Sequence, residues 1–134
     1  MNKKNLKILV MDENYLRKRI VRELSKKDNN RLIGAESAEE VILNRDLDYD
    51  IAIIHLSNDW IKESDNGQKE YNSLSAYLKD KIPHLPIIGV TIQEADYHKD
   101  FFTDKYYDVI VNNPLMGDFI DRLYNKIKDL TERK

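Results

Sequence analysis

Asp12 and Glu13 follow the apolar run "LKILVM", His55 ends "DIAIIH", Thr91 ends "LPIIGVT", and Asn113 stands just after "DVIV". Each of these polar groups closes a stretch that otherwise reads as buried, and their types are those of a chemical site. An acidic pair with an imidazole is a donor set for zinc or another transition ion, because nitrogen joined to carboxylate oxygen suits borderline metals better than it suits magnesium. Two other roles stay open for His55: a hydrogen bond to Asp12 or Glu13, or a phosphorylated or catalytic imidazole. His84 and His98 lie in polar stretches, are expected to be exposed, and bring no second metal motif. Neither a glycine-rich phosphate loop nor a nucleophile elbow is present, and no D-x-D pattern follows the first apolar run. The four glycines of the chain leave little from which to build a nucleotide cradle, so no enzymatic activity and no cofactor is expected.

Two alternating periodicities must position these residues. Short apolar runs at 6–11, 31–35, 51–54, 85–91 and 108–111 predict five strands. Helical spacing recurs between them, in "NYLRKRIVRELSKK" and again through Tyr71, Leu74, Leu78 and Ile82. In "SAEEVILNR", Ser37 and Glu40 make the S-x-x-E pattern of a helix start. The last helix is predicted from Met116, Phe119, Ile120, Leu123, Ile127 and Leu130. Strands that alternate with helices and read as continuous apolar runs imply a parallel sheet covered on both faces, a doubly wound five-stranded α/β domain. Ligand sites in such sheets lie outside the carboxyl ends of the strands, where the polar residues above are gathered.

Composition is compatible with one soluble domain over 1–134. Hydrophobic residues make up 41% of the chain and charged residues 34%, and cysteine is absent, which removes disulfide and thiolate chemistry. No apolar run has the length of a membrane span and the amino terminus lacks the pattern of a signal peptide, so a cytoplasmic location is expected. Charge is laid out unevenly: residues 1–31 carry ten Lys/Arg against four Asp/Glu, and the remainder twelve against twenty. Arg17, Lys18, Arg19 and Arg22 read as the wet side of a helix whose dry side is Leu16, Ile20, Val21 and Leu24, in preference to a nucleic-acid patch, since no aromatics interleave with them.

The ordered set "KILVMDEN", "YDIAIIHL", "LPIIGVT" and "DVIVNNPL" resembles the receiver domains of two-component response regulators, over nearly the whole chain. The 22 positions between Thr91 and Asn113 match the spacing of that family. The resemblance implies a flavodoxin-like (βα)5 topology, a magnesium-binding acidic pair at Asp12 and Glu13, and a switch hydroxyl at Thr91. It also implies a phosphoacceptor aspartate at the end of the third strand and a lysine before a proline after the fifth. His55 and Asn113 stand at those two positions. A neutral imidazole offers a hard magnesium ion no charge, and asparagine cannot balance a phosphoaspartate. Ile110 occupies the position of the family's switch aromatic, and Tyr106-Tyr107 replace a small pair before the fifth strand.

These departures mark an atypical or pseudo-receiver, expected to act in signal transduction through phosphorylation-independent protein–protein interaction, possessing a remnant pocket of Asp12, Glu13, His55, Thr91 and Asn113. The alternative is a metal- or ligand-sensing regulatory domain that uses the same pocket, with Asp12, Glu13 and His55 as the metal candidates. By the same resemblance, a protein partner or a second copy is expected on the face of the fourth helix, fifth strand and fifth helix, with Phe101, Phe102, Tyr106 and Tyr107 as candidate contacts. Nucleic acid would be reached only through an effector domain after Lys134, which would make the chain the amino-terminal part of a longer protein. Trp60, in the loop after His55, is expected either to tuck against the neighbouring helix or to serve as a partly exposed anchor.

Overall fold

The computed structural model describes residues 5–12, 14–44, 46–55, 73–90, 109–111 and 117–132. Five strands, β1 (Lys7–Met11), β2 (Arg31–Ala35), β3 (Ile51–His55), β4 (Ile87–Val90) and β5 (Val109–Val111), form one parallel sheet in the order β2-β1-β3-β4-β5. The helices among the described residues are α1 (Asn14–Ser25), α2 (Ala38–Leu43), α3 (Leu74–Lys81) and α4 (Phe119–Glu132). A further helix of the (βα)5 pattern would fall in 91–108, outside the described residues. Strand order reverses beside β1, and in doubly wound sheets such a switch point, outside the carboxyl ends of the strands, is where ligands bind.

The strands are apolar throughout because both faces of the sheet are covered. Side chains alternate along a strand, so neighbours enter different cores. Ile8 and Val10 of β1, Ile51 and Ile53 of β3, and Ile88 and Val90 of β4 pack with Ile20 and Leu24 of α1 and with Phe119, Leu123 and Ile127 of α4. Leu9, Met11, Ala52, Ile54 and Ile87 pack on the opposite side with Ala38 and Val41 of α2 and Leu74 and Leu78 of α3. Burying one such Leu or Phe contributes about 1.5–3 kcal/mol. The expected dry side of α1 is borne out: Ile20 and Leu24 are buried, and Leu16 and Val21 pack against the same cluster. Among the described residues no helix is long and apolar enough to cross a membrane.

Local chemistry fixes the helix starts. The Ser37 hydroxyl accepts from the Glu40 amide at 3.2 Å, and the Glu40 carboxylate accepts from the Glu36 amide at 2.8 Å. This is the capping arrangement read from S-x-x-E, with the return bond reaching one residue further back than usual. Ser73 caps α3 in the same way by accepting from Ala76 at 3.2 Å. Tyr71, which the helical spacing includes, lies outside the described residues. At the far end of α1, Tyr124 of α4 donates to Asp28 at 2.9 Å and Lys27 pairs with Asp121 at 3.2 Å, so the two helices on this face are tied by polar contacts as well as by their shared core.

Candidate functional site

Strand register brings the first two site residues together. Met11 is level with Ile54 in the β1–β3 pairing, so Asp12 and His55 each stand one step further along. Asp12 extends the β1–β2 ladder by donating its amide to Ala35 at 3.1 Å. Both residues continue the parity of Ile8, Val10, Ile51 and Ile53, and their side chains belong to the α1 and α4 side of the sheet. His55 Nδ1 lies 3.9 Å from Asp12 Oδ1, within ion-pair reach and longer than the about 2.7–3.2 Å of a hydrogen bond. The attraction is ionic when the imidazole is protonated.

Burial makes this pair consequential. Asp12 is 3% exposed and His55 8%, in a fold where the described buried polar residues are only these two and Ser75. Charges withdrawn from water interact more strongly and are screened less by salt than surface charges. Their place at the carboxyl ends of parallel strands is where ligand sites of doubly wound sheets lie.

Of the other expected site residues, Glu13, Thr91 and Asn113 lie outside the described residues. The backbone around them is informative. His55 is level with Val90, the residue before Thr91, and Val90 is level with Val111 of β5. Ile110 lies in β5 opposite Gly89. Phe101, Phe102, Tyr106, Tyr107 and Trp60 also lie outside the described residues, whereas His84 is exposed.

Two residues of α1 depart from their sequence reading. Arg17, expected on the wet side of α1, has a side chain only 17% exposed and pairs with Glu36 at 2.9 Å. Its stem lies across Gly34 of β2, where an added Cβ would come within 3.2 Å of the Arg17 Cδ and Nη1. A Cβ there would press the flexible arginine stem back by a few tenths of an ångström, so glycine is what lets it lie this close to the strand. Arg19 is likewise drawn inward, with its guanidinium 6.0 Å from the Phe119 ring, while Lys18 and Arg22 face solvent as expected. Helical periodicity places a residue on a face but does not register a glycine in a neighbouring strand, so the sequence hid this contact.

A second charged cluster occupies the other edge of the sheet. The Lys7 ammonium donates to the Asp48 carboxylate, stands 3.8 Å from Asp46, and lies 5.3 Å from the centre of the Tyr49 ring. Its hydrogen bond to Asp48 raises the lysine above its ordinary value and lowers the aspartate below its own. Burial pushes the Tyr49 hydroxyl up. Asp50 accepts from the Lys7 amide at 2.8 Å, so the cluster locks β1 to the approach of β3 at the amino edge, away from the pocket.

No protein-family model matches the sequence, and no curated protein matches it. Solved structures do. The receiver domain of the Francisella response regulator 1452 matches with a TM-score of 0.70 at 19% identity, over 96% of this chain and 98% of that one. The beryllofluoride-activated DrrB receiver domain gives 0.73 at 16% identity, over 97% and 100%. A two-component response regulator from Clostridium difficile gives 0.69 at 19%, over 96% and 98%. The chain has the receiver fold. Whole-chain coverage agrees with the strand order, and at these identities the likeness is one of fold.

Magnesium, which the resemblance to receivers implies, can be tested against the donors. Magnesium demands oxygen ligands at about 2.0–2.1 Å in near-octahedral order. At the end of β3 the receiver fold here offers an imidazole nitrogen, and the Nδ1 is turned toward the one carboxylate of the described pocket. Among the described residues no third His, Asp or Glu joins the pair to make a metal-binding group. The donors among the described residues do not by themselves fit magnesium.

Proposed function

We propose that the chain is a signalling module of receiver type that acts by binding a protein partner or a second copy of itself, without aspartyl phosphorylation. The observation that carries this reading is the buried His55 at the end of β3, turned toward Asp12. In a phosphorylated receiver the group at that position must attack a phosphoryl donor while a second oxygen holds the metal, and one imidazole ring cannot supply both. Asn113, in place of the cation that would neutralise the product, supports the same conclusion. The binding face proposed for the partner is the one that includes Phe101, Phe102, Tyr106 and Tyr107 together with β5 and α4. Beryllofluoride with magnesium tests the reading, because the mimic needs an acceptor carboxylate and a bound metal. The amide spectrum of the isotopically labelled chain should stay unmoved. Saturable shifts at the ends of β3 and β4 would overturn the proposal.

A further inference from the structure

The β2 edge of the sheet carries two charge patterns of opposite sign. Residues 15–27 hold six Lys/Arg and one Asp/Glu, and residues 36–50 hold six Asp/Glu and one Lys/Arg. α1 packs on one face of the sheet and α2 on the other, and both touch β2, the edge strand between them. We propose that this edge is a self-association surface, on which α1 of one copy meets α2 of a second copy across a two-fold axis. The inference is independent of the reading of His55, and it concerns the edge opposite β5.

Exposure and spacing define the two stripes. Tyr15, Lys18 and Arg22 are three and four residues apart on α1, which aligns them on one side of the helix, and all three are exposed. Glu40 and Leu43 of α2 are exposed as well, with exposed Glu36 just before the helix. Tyr15 is 79% exposed and Leu43 81%, so each charged stripe also carries a large apolar side chain for a partner to cover. Within one chain Arg17 offsets Glu36, Lys7 offsets Asp48 and Glu23 offsets Arg22, while Lys18 and Glu40 stand apart from those ion pairs.

A two-fold axis parallel to the strands sets two β2 edges side by side and exchanges the faces of the sheet. α1 of each copy then lies against α2 of the other, and the contact closes at two copies. Both helices begin beyond the carboxyl ends of paired parallel strands, and the axis keeps them level, which brings Lys18 and Arg22 of one copy toward Glu36 and Glu40 of the other. The same attraction is made twice. A different partner would need both stripes in reversed sign on either side of one edge, whereas a second copy supplies them. The contact also covers a strand edge otherwise open to pairing, where Gly34 is exposed.

Sedimentation velocity of the intact chain across a concentration series tests the proposal. A dimer should form at low salt and weaken as the reach of the charges falls from about 10 Å at 0.1 M to about 3 Å at 1 M. Lys18→Glu and Glu40→Lys each turn two attractions per dimer into repulsions, and each should weaken association about tenfold or more. Mixed in equal amounts, the two variants should regain the parent's association, because the altered α1 of one faces the altered α2 of the other and the second contact keeps its native residues. Leu43→Ser alters no charge and should weaken the dimer with the unfolding midpoint unchanged, so the test stands even if Glu40→Lys loses its bond to the Glu36 amide and unfolds. Lys18→Glu should act equally in a Tyr107→Ala chain, since the face proposed for that residue lies at the other edge. A chain that is monomeric at every concentration in low salt overturns the proposal. So does a dimer that Lys18→Glu and Leu43→Ser leave intact, a mixture of folded variants that stays dissociated, or a Lys18→Glu effect that vanishes in Tyr107→Ala. Retention of a monomeric chain on heparin, lost in Lys18→Glu, would assign the α1 stripe to an acidic polymer and overturn it too.

Discussion

Replacing His55 with aspartate restores the residue that the receiver resemblance expects, yet the structure argues that this change harms the isolated chain. An aspartate Oδ occupies nearly the place of the histidine Nδ1, so the new carboxylate would stand close to 3.9 Å from Asp12 Oδ1 in a pocket where position 55 is 8% exposed. Two like charges at that separation repel by about 4 kcal/mol at an effective dielectric of about 20. Rotation of the two carboxylates away from each other relieves part of this, and a net loss of about 2 kcal/mol is expected, along with uptake of a proton by the pair as one pKa rises. Because the protonated form is the less strained, the deficit of His55→Asp should shrink as pH falls through the raised value. Millimolar magnesium should also diminish it, since a hard cation between two carboxylates replaces repulsion with attraction. Urea unfolding of both chains, with and without magnesium, measures each part. A variant as stable as the parent in magnesium-free buffer, or one whose stability magnesium does not raise, would refute the electrostatic account of the pocket.

Three further outcomes follow from described contacts, and a fourth from the proposed partner face. Leu123→Ala, at a fully buried position in the α4 core, should cost about 2–5 kcal/mol in chemical unfolding, and a loss below 1 would mean that α4 does not pack as described. Gly34→Ile should displace the Arg17 stem and forfeit its pair with Glu36, lowering stability by about 1 kcal/mol, and Arg17→Ala in the same background should then add almost nothing. The raised Lys7 stabilises the fold below the ordinary lysine value of 10.5 and loses that contribution as pH climbs through the raised one, while the lowered Asp48 stabilises above 3.8 and loses its part as pH falls through its lowered value. Asp48→Asn should therefore flatten both limbs of the stability profile, with little change in their positions for other groups. Tyr107→Ala should weaken association measured by sedimentation while leaving the unfolding midpoint in place, and a variant that is only less stable would assign the residue to the core.

Much of the fold was legible because its signals are local and repetitive. The run Ile51–Ile54 could be assigned to a strand covered on both faces because all four residues are apolar, and the structure sends Ile51 and Ile53 to one core and Ala52 and Ile54 to the other. Ser37 and Glu40 announced the start of α2 through capping chemistry that needs no tertiary context. Within the pocket, the sequence placed Asp12 and His55 at strand ends, and parallel register did the rest by setting β1 against β3. What could not be read was the contact of Arg17 with Gly34, which depends on how α1 lies over an edge strand, and the Lys7 cluster, whose partners Asp46 and Asp48 come from the approach to a different strand. Interactions of that kind link segments far apart in the chain, and no residue spacing encodes them.

We propose that this receiver fold works without accepting a phosphoryl group on aspartate. Intact-mass measurement after incubation with acetyl phosphate and magnesium tests this, with a His55→Asp chain alongside. The unaltered chain should gain no phosphoryl mass, and His55→Asp should gain at most a trace, because Asn113 still provides no cation for the acyl phosphate. A stoichiometric phosphoryl adduct on the unaltered chain would contradict the account, and if that adduct were acid-labile and absent from His55→Ala, the chemistry would be that of a phosphohistidine.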